Sequence, residues 1–407
     1  PVTGWSERVP VADAMGDATR RAIRMALAGR PAATHLSLPA DVLDGEVQNP
    51  VERGTGERLS DRLPMSRPRA DRDEVARAAE MIVAASRPVI VAGGGVLASG
   101  AWNVLSELAE SCGIPVATSI NGKGAIDETS PVSIGVVGGN GARTYANAWV
   151  READLVVFIG TRTDSTTTDH WKLPSREQPP MTIHLDVAER EIGNTYPNGA
   201  VLLGDARATL EDLRDALHSA APRLLERSRD RLARLDAQRT QYFDQVGAAA
   251  RSDAWPMKPQ RVVREMREVL DDEVVIVADP GTPTPYLGAQ FPLRRPGRTT
   301  VIPRAHGGLG YALPGVVGEP DEGQEQFHPG LALRRPCPAQ AQRQPDVLRR
   351  REHRHQPEGL EDEGDHVPSQ GDQALLGELG DHPVADDDPA GVRSVQPSDA
   401  VEEGGLA

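Results

Sequence analysis

Pro88-Val89-Ile90-Val91-Ala92 runs straight into Gly93-Gly94-Gly95, and a helical stripe of Leu105, Leu108, Ala109 and Cys112 follows, closing at Gly113. Five apolar residues in a row leave no polar face for water, so such a strand is covered on both sides. The glycines permit a tight strand-to-helix turn, and Ser99 is placed as the N-cap of the helix. The same signature recurs at Val116-Ala117-Thr118, Leu155-Val156-Val157-Phe158-Ile159, Thr182-Ile183-His184-Leu185 and Val201-Leu202-Leu203. Upstream, Val75, Ala79 and Ile82 share one face of a helix that starts near Asp73. Buried strands alternating with helices give the α/β class, with a parallel, doubly wound sheet. The spacing predicts one such domain over residues 73–215.

The flanks carry less. In residues 1–45, a helix with Ala22, Met25 and Ala26 ends near Gly29, and Thr34-His35-Leu36-Ser37-Leu38-Pro39 is strand-like; together they read as the last helix and strand of a domain. A polar, proline-containing linker spans 46–72. Residues 216–250 predict a linking helix with Leu225, Leu232, Leu235 and Tyr242 as its apolar edge. Glu273-Val274-Val275-Ile276-Val277-Ala278-Asp279 then opens another strand of the buried kind, so 251–318 reads as the start of a third α/β domain. The first residue is Pro1 rather than Met, which predicts a start inside a longer reading frame.

Composition changes abruptly after Gly318. Residues 319–407 carry 20 acidic and 8 basic side chains out of a whole-chain net charge of −15. They contain 15 Val, Leu and Phe but no Ile, Met, Trp, Tyr, Lys or Asn. Such a segment buries too little apolar surface to offset its ordering entropy, so an acidic, disordered tail is expected. The loss of residue types at one point suggests a shifted or rearranged reading frame. Acidity thus belongs to one segment, and no Lys/Arg stripe points to nucleic acid. No apolar run reaches the roughly 18 residues of a membrane span, and no signal-peptide pattern opens the chain. Cys112 and Cys337 lie far apart, and Cys112 ends an apolar helix stripe, where a buried free thiol is expected. A reduced, cytoplasmic setting is the expectation.

Strand, glycine, helix is a general phosphate-binding device, because helix N-terminal amides face the anion. Gly93–Gly95 fits it loosely, without full dinucleotide spacing, and does not favour an NAD enzyme. The loop Pro280-Gly281-Thr282-Pro283-Thr284-Pro285 sits at the carboxyl end of a strand, where open parallel sheets bind ligands. Thr282 and Thr284 offer hydroxyls to a phosphate; three prolines fit equally well with a merely stiff connection. In the tail, His328, His353, His355, His366 and His382 predict only loose chelation.

Gly307-Gly308-Leu309-Gly310, followed by Tyr311-Ala312-Leu313-Pro314, resembles the thiamine-diphosphate enzymes related to acetohydroxyacid synthase and benzoylformate decarboxylase. The resemblance places Asp279, Gly281 and Thr282, with Thr284 beside them, near the diphosphate, and Gly308, Leu309 and Gly310 at the aminopyrimidine end. His35 to Val42 resembles the end of that family's pyrimidine-binding domain, and Arg87 to Gly95 the opening of its central domain. Asp154-Leu155-Val156, Gly160-Thr161-Arg162 and Gly204-Asp205-Ala206 fit that central domain too. It implies thiamine diphosphate and Mg²⁺ as cofactors, a small 2-oxo acid as substrate, decarboxylation or carboligation as the reaction, and a homodimer or homotetramer.

The departures are specific. No Gly-Asp-Gly and no Asn-Asn occurs, although the family anchors Mg²⁺ with them; Gly364-Asp365, Gly371-Asp372 and Gly380-Asp381 are look-alikes only. Glu7 lies in no matching motif for the family's activating glutamate. An incomplete, catalytically defective copy is therefore expected, with no catalytic residue and no metal ligand assigned. The alternative is a non-catalytic nucleotide- or FAD-binding or interaction protein built on the central domain, although Asp164-Ser165-Thr166-Thr167-Thr168 does not match a flavin-binding pattern.

Overall fold

A computed structural model of the chain describes residues 2–48, 64–304 and 307–317. The expected tail (319–407), with Cys337 and the three Gly-Asp look-alikes, lies outside the described residues, as does most of the 46–72 linker.

Near the N-terminus, β1 (Trp5–Arg8) and β2 (Thr34–Ser37) pair in parallel, with α1 (Met15–Leu27) between them and α2 (Ala40–Leu43) after. Val9, Ala18 and Val42 form their small core. Ala22 on α1 turns inward as its spacing predicts, whereas Met25 is exposed.

The central sheet follows. α3 (Arg72–Ala84) begins at Asp71, whose carboxylate accepts from the backbone N–H of Asp73 at 2.8 Å. Then come β3 (Pro88–Ala92), α4 (Gly94–Ser99), α5 (Trp102–Cys112), β4 (Val116–Thr118), β5 (Ser133–Val136), α6 (Ala146–Arg151), β6 (Leu155–Ile159), β7 (Met181–Asp186), β8 (Ala200–Leu203) and α7 (Ala206–Leu217). Six parallel strands are ordered β5-β4-β3-β6-β7-β8. The chain therefore builds outward from β3 in one direction, returns to pair β6 with β3, and continues the other way. This is the doubly wound arrangement with a switch point between its first and fourth strands.

Alternation along the strands explains the two covered faces. Ile90 and Ala92 of β3, with Leu155, Val157 and Ile159 of β6, join α3, α5 and α7 in one core. Val89 and Val91, with Val156 and Phe158, enter a second core with Trp149 and Tyr145. Burying one side chain of Phe158's size contributes roughly 2–3 kcal/mol.

The structure corrects the opening helix. Ser99 does not cap α5; it ends the separate helix α4, and its Oγ donates to Asp205 Oδ2 at 2.8 Å. Strand β5 was missed, because its β-branched Ile134 and Val136 alternate with Ser133 and Gly135, which breaks the continuous apolar run although all four residues are buried.

Beyond the sheet, α8 (Ala221–Ala250) has 30 residues. Its buried edge holds Leu224, Leu235 and Tyr242, while Leu225, expected there, is exposed. Leu224 belongs to the first core and Leu235 and Tyr242 to the second, so the helix passes from one face of the sheet to the other. Next are α9 (Pro259–Val269), β9 (Ile276–Val277), α10 (Pro283–Gln290), β10 (Thr300–Val301) and α11 (Ala312–Val317). The seven-residue strand expected from Glu273 is only two residues long, because β10 is its sole partner among the described residues and pairs over Ile276–Val277.

Candidate functional site

Asp279 leaves the carboxyl end of β9, and the turn that precedes α11 folds back over it. Its Oδ2 accepts from the backbone N–H of Gly310 at 2.9 Å and its Oδ1 from that of Ala312 at 2.8 Å. The Gly310 N–H, and then that of Ala312, holds the carboxyl below its ordinary range. Gly310 has φ +87°, a left-handed conformation that a side chain disfavours, and this turns the chain onto the aspartate. A Cβ placed on Gly281 would lie 3.7 Å from Leu309 Cδ2, so the two predicted elements meet there as well. Leu309 itself is 77% exposed.

Thr282 and Thr284 part company. Thr282 is exposed at the head of α10. Thr284 is 0% exposed, and its Oγ1 has no partner among the described residues. Its N–H donates to Gly281 O at 3.1 Å, and Pro283 and Pro285 have none to give. The first three residues of α10 thus present no free N–H to an anion, in spite of the helix's direction.

A second feature lies at the carboxyl ends of the central strands. A cleft of about 430 Å³ is lined by Gly94 and Gly95 after β3, Gly160 and Thr161 after β6, Asp186 after β7, and Asp205 after β8. Here the Gly93–Gly95 turn is pressed against Gly160: a Cβ on Gly93 would lie 2.3 Å from Gly160 O. Asp205 caps α7 through Ala208 N–H at 3.0 Å and also receives Arg67 at 3.1 Å. Burial raises the Asp186 carboxyl and lowers His184, whose Nε2 lies 2.9 Å from Thr161 O. The Asp164–Thr168 segment closes on itself, Thr167 N–H donating to Asp164 Oδ1 at 2.8 Å and Thr168 Oγ1 to Asp164 O at 2.7 Å. Sequence reasoning missed Asp186 as a lining residue; its position at the end of an apolar strand is the signal that could have found it.

Residues 75–213, which hold this sheet and its cleft, match the family model for the thiamine pyrophosphate enzyme central domain. The central domain belongs to the thiamine pyrophosphate enzymes. Among curated proteins, the chain is 31% identical over 326 residues to the "Probable acetolactate synthase large subunit" of Methanocaldococcus jannaschii, covering 78% of this chain and 53% of the relative. It is 30% identical over 348 residues to the "Probable 2-ketoarginine decarboxylase AruI" of Pseudomonas aeruginosa, covering 82% and 55%. With the "Acetolactate synthase" of Mycobacterium bovis it shares 30% over 319 residues, covering 78% and 50%. The chain spans about half the length of the curated relatives it matches. The match to the thiamine pyrophosphate enzyme central domain covers residues 75–213, and the Asp279–Gly310 tie lies beyond them.

Proposed function

We propose that this chain is part of a thiamine-diphosphate-dependent 2-oxo acid decarboxylase or carboligase, acetolactate synthase-like, in an incomplete and catalytically defective form. The observation that carries the reading is the tie from Asp279 to Gly310 and Ala312, which joins the two short motifs 31 residues apart in sequence. In this reading residues 1–45 close a pyrimidine-binding domain, 73–215 are the central domain, and 251–318 begin a diphosphate-binding domain. A homodimer or homotetramer in the cytoplasm, acting on a small 2-oxo acid, completes it.

The described residues do not fit Mg²⁺. Among the described residues no three His, Cys, Asp or Glu side chains converge, and Asp279 commits both oxygens to backbone N–H groups. For the organic cofactor, Thr282 offers a hydroxyl, the backbone at Gly281 offers close approach, and exposed Leu309 offers an apolar face to a ring; Thr284 is buried away from them. Thiamine diphosphate, when bound, supplies the carbanion-stabilising chemistry. With helix amides blocked by two prolines and no metal-binding cluster among the described residues, these groups support weak binding at most. Calorimetry with thiamine diphosphate and Mg²⁺, alongside carbon dioxide release from pyruvate and benzoylformate, tests this. Heats too small to fit and no release are expected; micromolar binding or turnover overturns the defective reading.

The cleft at the strand ends favours a second reading, a nucleotide- or FAD-binding role for the central domain. Its lining carries Arg30 and Arg162 as well as Asp186 and Asp205, so it offers partners to a phosphate and to sugar hydroxyls alike. Flavin fluorescence after denaturing the purified protein decides for FAD; a colourless protein with no released flavin decides against it.

A further inference from the structure

Lys123, Glu128 and Arg143 meet in the interior of the protein, at 2%, 2% and 1% exposure. Lys123 Nζ lies 2.6 Å from Glu128 Oε1, and Arg143 Nη2 lies 2.9 Å from Glu128 Oε2. Both cations also reach across to α10. Lys123 Nζ donates to Gly288 O at 3.2 Å and Arg143 Nε to Ala289 O at 3.1 Å. These carbonyls belong to the last turn of the helix, where its dipole favours a positive charge. Glu128 is further joined to Leu293, its N–H donating to Leu293 O at 2.9 Å and its Oε2 accepting from Leu293 N–H at 3.3 Å. Gly297 N–H donates to Gly124 O at 2.8 Å, closing the seam.

Two cations and one carboxylate leave this interior site with an excess positive charge when all are ionised. Buried charges are costly unless well paired, and one guanidinium nitrogen of this trio, Arg143 Nη1, is buried with no hydrogen-bond partner among the described residues. Here the excess faces the carbonyl ends of α10, and the guanidinium of Arg143 lies 5.1 Å from the ring centre of Phe243.

We propose that Glu128 is a positioning residue, and that with Lys123 and Arg143 it forms an ionic clamp fixing α10, and hence the Asp279–Thr282 loop at its other end, against the central domain. The clamp itself stands on these contacts alone. Only its bearing on a cofactor loop rests on the reading given above.

Hydrogen exchange read by mass spectrometry on the full chain tests it, comparing segment 283–297 with strands β3 and β6. In Glu128→Gln, exchange in 283–297 is expected to rise by about tenfold or more while β3 and β6 keep their protection. Adding Lys123→Met to that variant removes one of the two unpaired cations and is expected to restore part of the protection, which a simple loss of packing would not do. If Glu128→Gln does not fold, Lys123→Met alone provides the measurement, with faster exchange confined to 283–297. Unchanged exchange in 283–297, or equal acceleration of β3 and β6, overturns the clamp. Failure of thiamine diphosphate to bind leaves the clamp standing and bears only on the loop's role.

Discussion

The carboxylate of Asp279 receives the backbone N–H of Gly310 at 2.9 Å, so the end of one short strand and the turn before α11 are held as one unit. The Ala312 N–H donates to the other oxygen, so the first residue of α11 is capped from a distant strand end.

Acid should release this cap. The folded-state value of Asp279 lies below the ordinary 3.8, so the tie is fully present above that pH and is lost as pH falls through the lowered value. The Gly310 amide resonance is expected to hold constant from neutral pH down to about 4 and then move. In Asp279→Asn that acid step should vanish. A step that survives the substitution assigns it to another group.

His184 gives a lever of the same sign, in a higher pH window, within the central domain. Burial lowers it below the ordinary 6.5, so the neutral ring stabilises the fold fully above that value, and the contribution is lost as pH falls toward the folded-state value. Asp186, raised mainly by burial, has the reverse dependence, contributing most when protonated. Urea midpoints of the native protein minus those of His184→Gln should therefore fall between about pH 7 and pH 5. A flat difference would remove His184 from the account.

Gly93→Ala should be costly. The added methyl would meet Gly160 O at 2.3 Å and Thr161 Cβ at 2.6 Å, and neither a carbonyl nor a strand end can move aside cheaply. A loss of about 1–3 kcal/mol or more is expected from chemical denaturation. Gly308→Ala, with nothing within 4 Å of the added carbon, serves as the control and should change stability little.

Alternation of strands and helices over the central domain was legible because a strand buried on both faces reads as a mainly apolar run; β3 and β6 are wholly apolar, while β7 carries Thr182, His184 and Asp186 between its apolar residues. Strand β5 was not legible, since Gly135 and Ser133 interrupt the pattern and its burial comes from its neighbours; a Cβ on Gly135 would lie 2.8 Å from the Arg143 guanidinium. The Lys123–Glu128–Arg143 trio was equally hidden. Three charged residues at those spacings read as solvated surface, whereas contacts made far along the chain, with α10 from 165 residues downstream and with Phe243 of α8, accompany their burial. The short motifs around Asp279 and Gly310 were readable, but Thr284's inward turn was not, because it depends on which way the first turn of α10 faces.

The change of residue types after Gly318 also makes a prediction about the gene. If the frame shifts there, the DNA beyond that codon, read in another frame, should encode an apolar strand, Gly-Asp-Gly and then Asn-Asn. Translating all frames checks this directly. If none restores those residues, the frameshift idea should be dropped.

Helix α8, about 45 Å long at 1.5 Å per residue, has Leu224 anchored in the core on one side of the sheet and Leu235 and Tyr242 in the core on the other. A single rigid rod rooted in both layers means that neither layer can open without dragging on the other. The central domain should therefore melt in one cooperative step, and a cut at exposed Arg229–Asp230, between the two anchors, would be the way to let the two parts of the rod come apart separately.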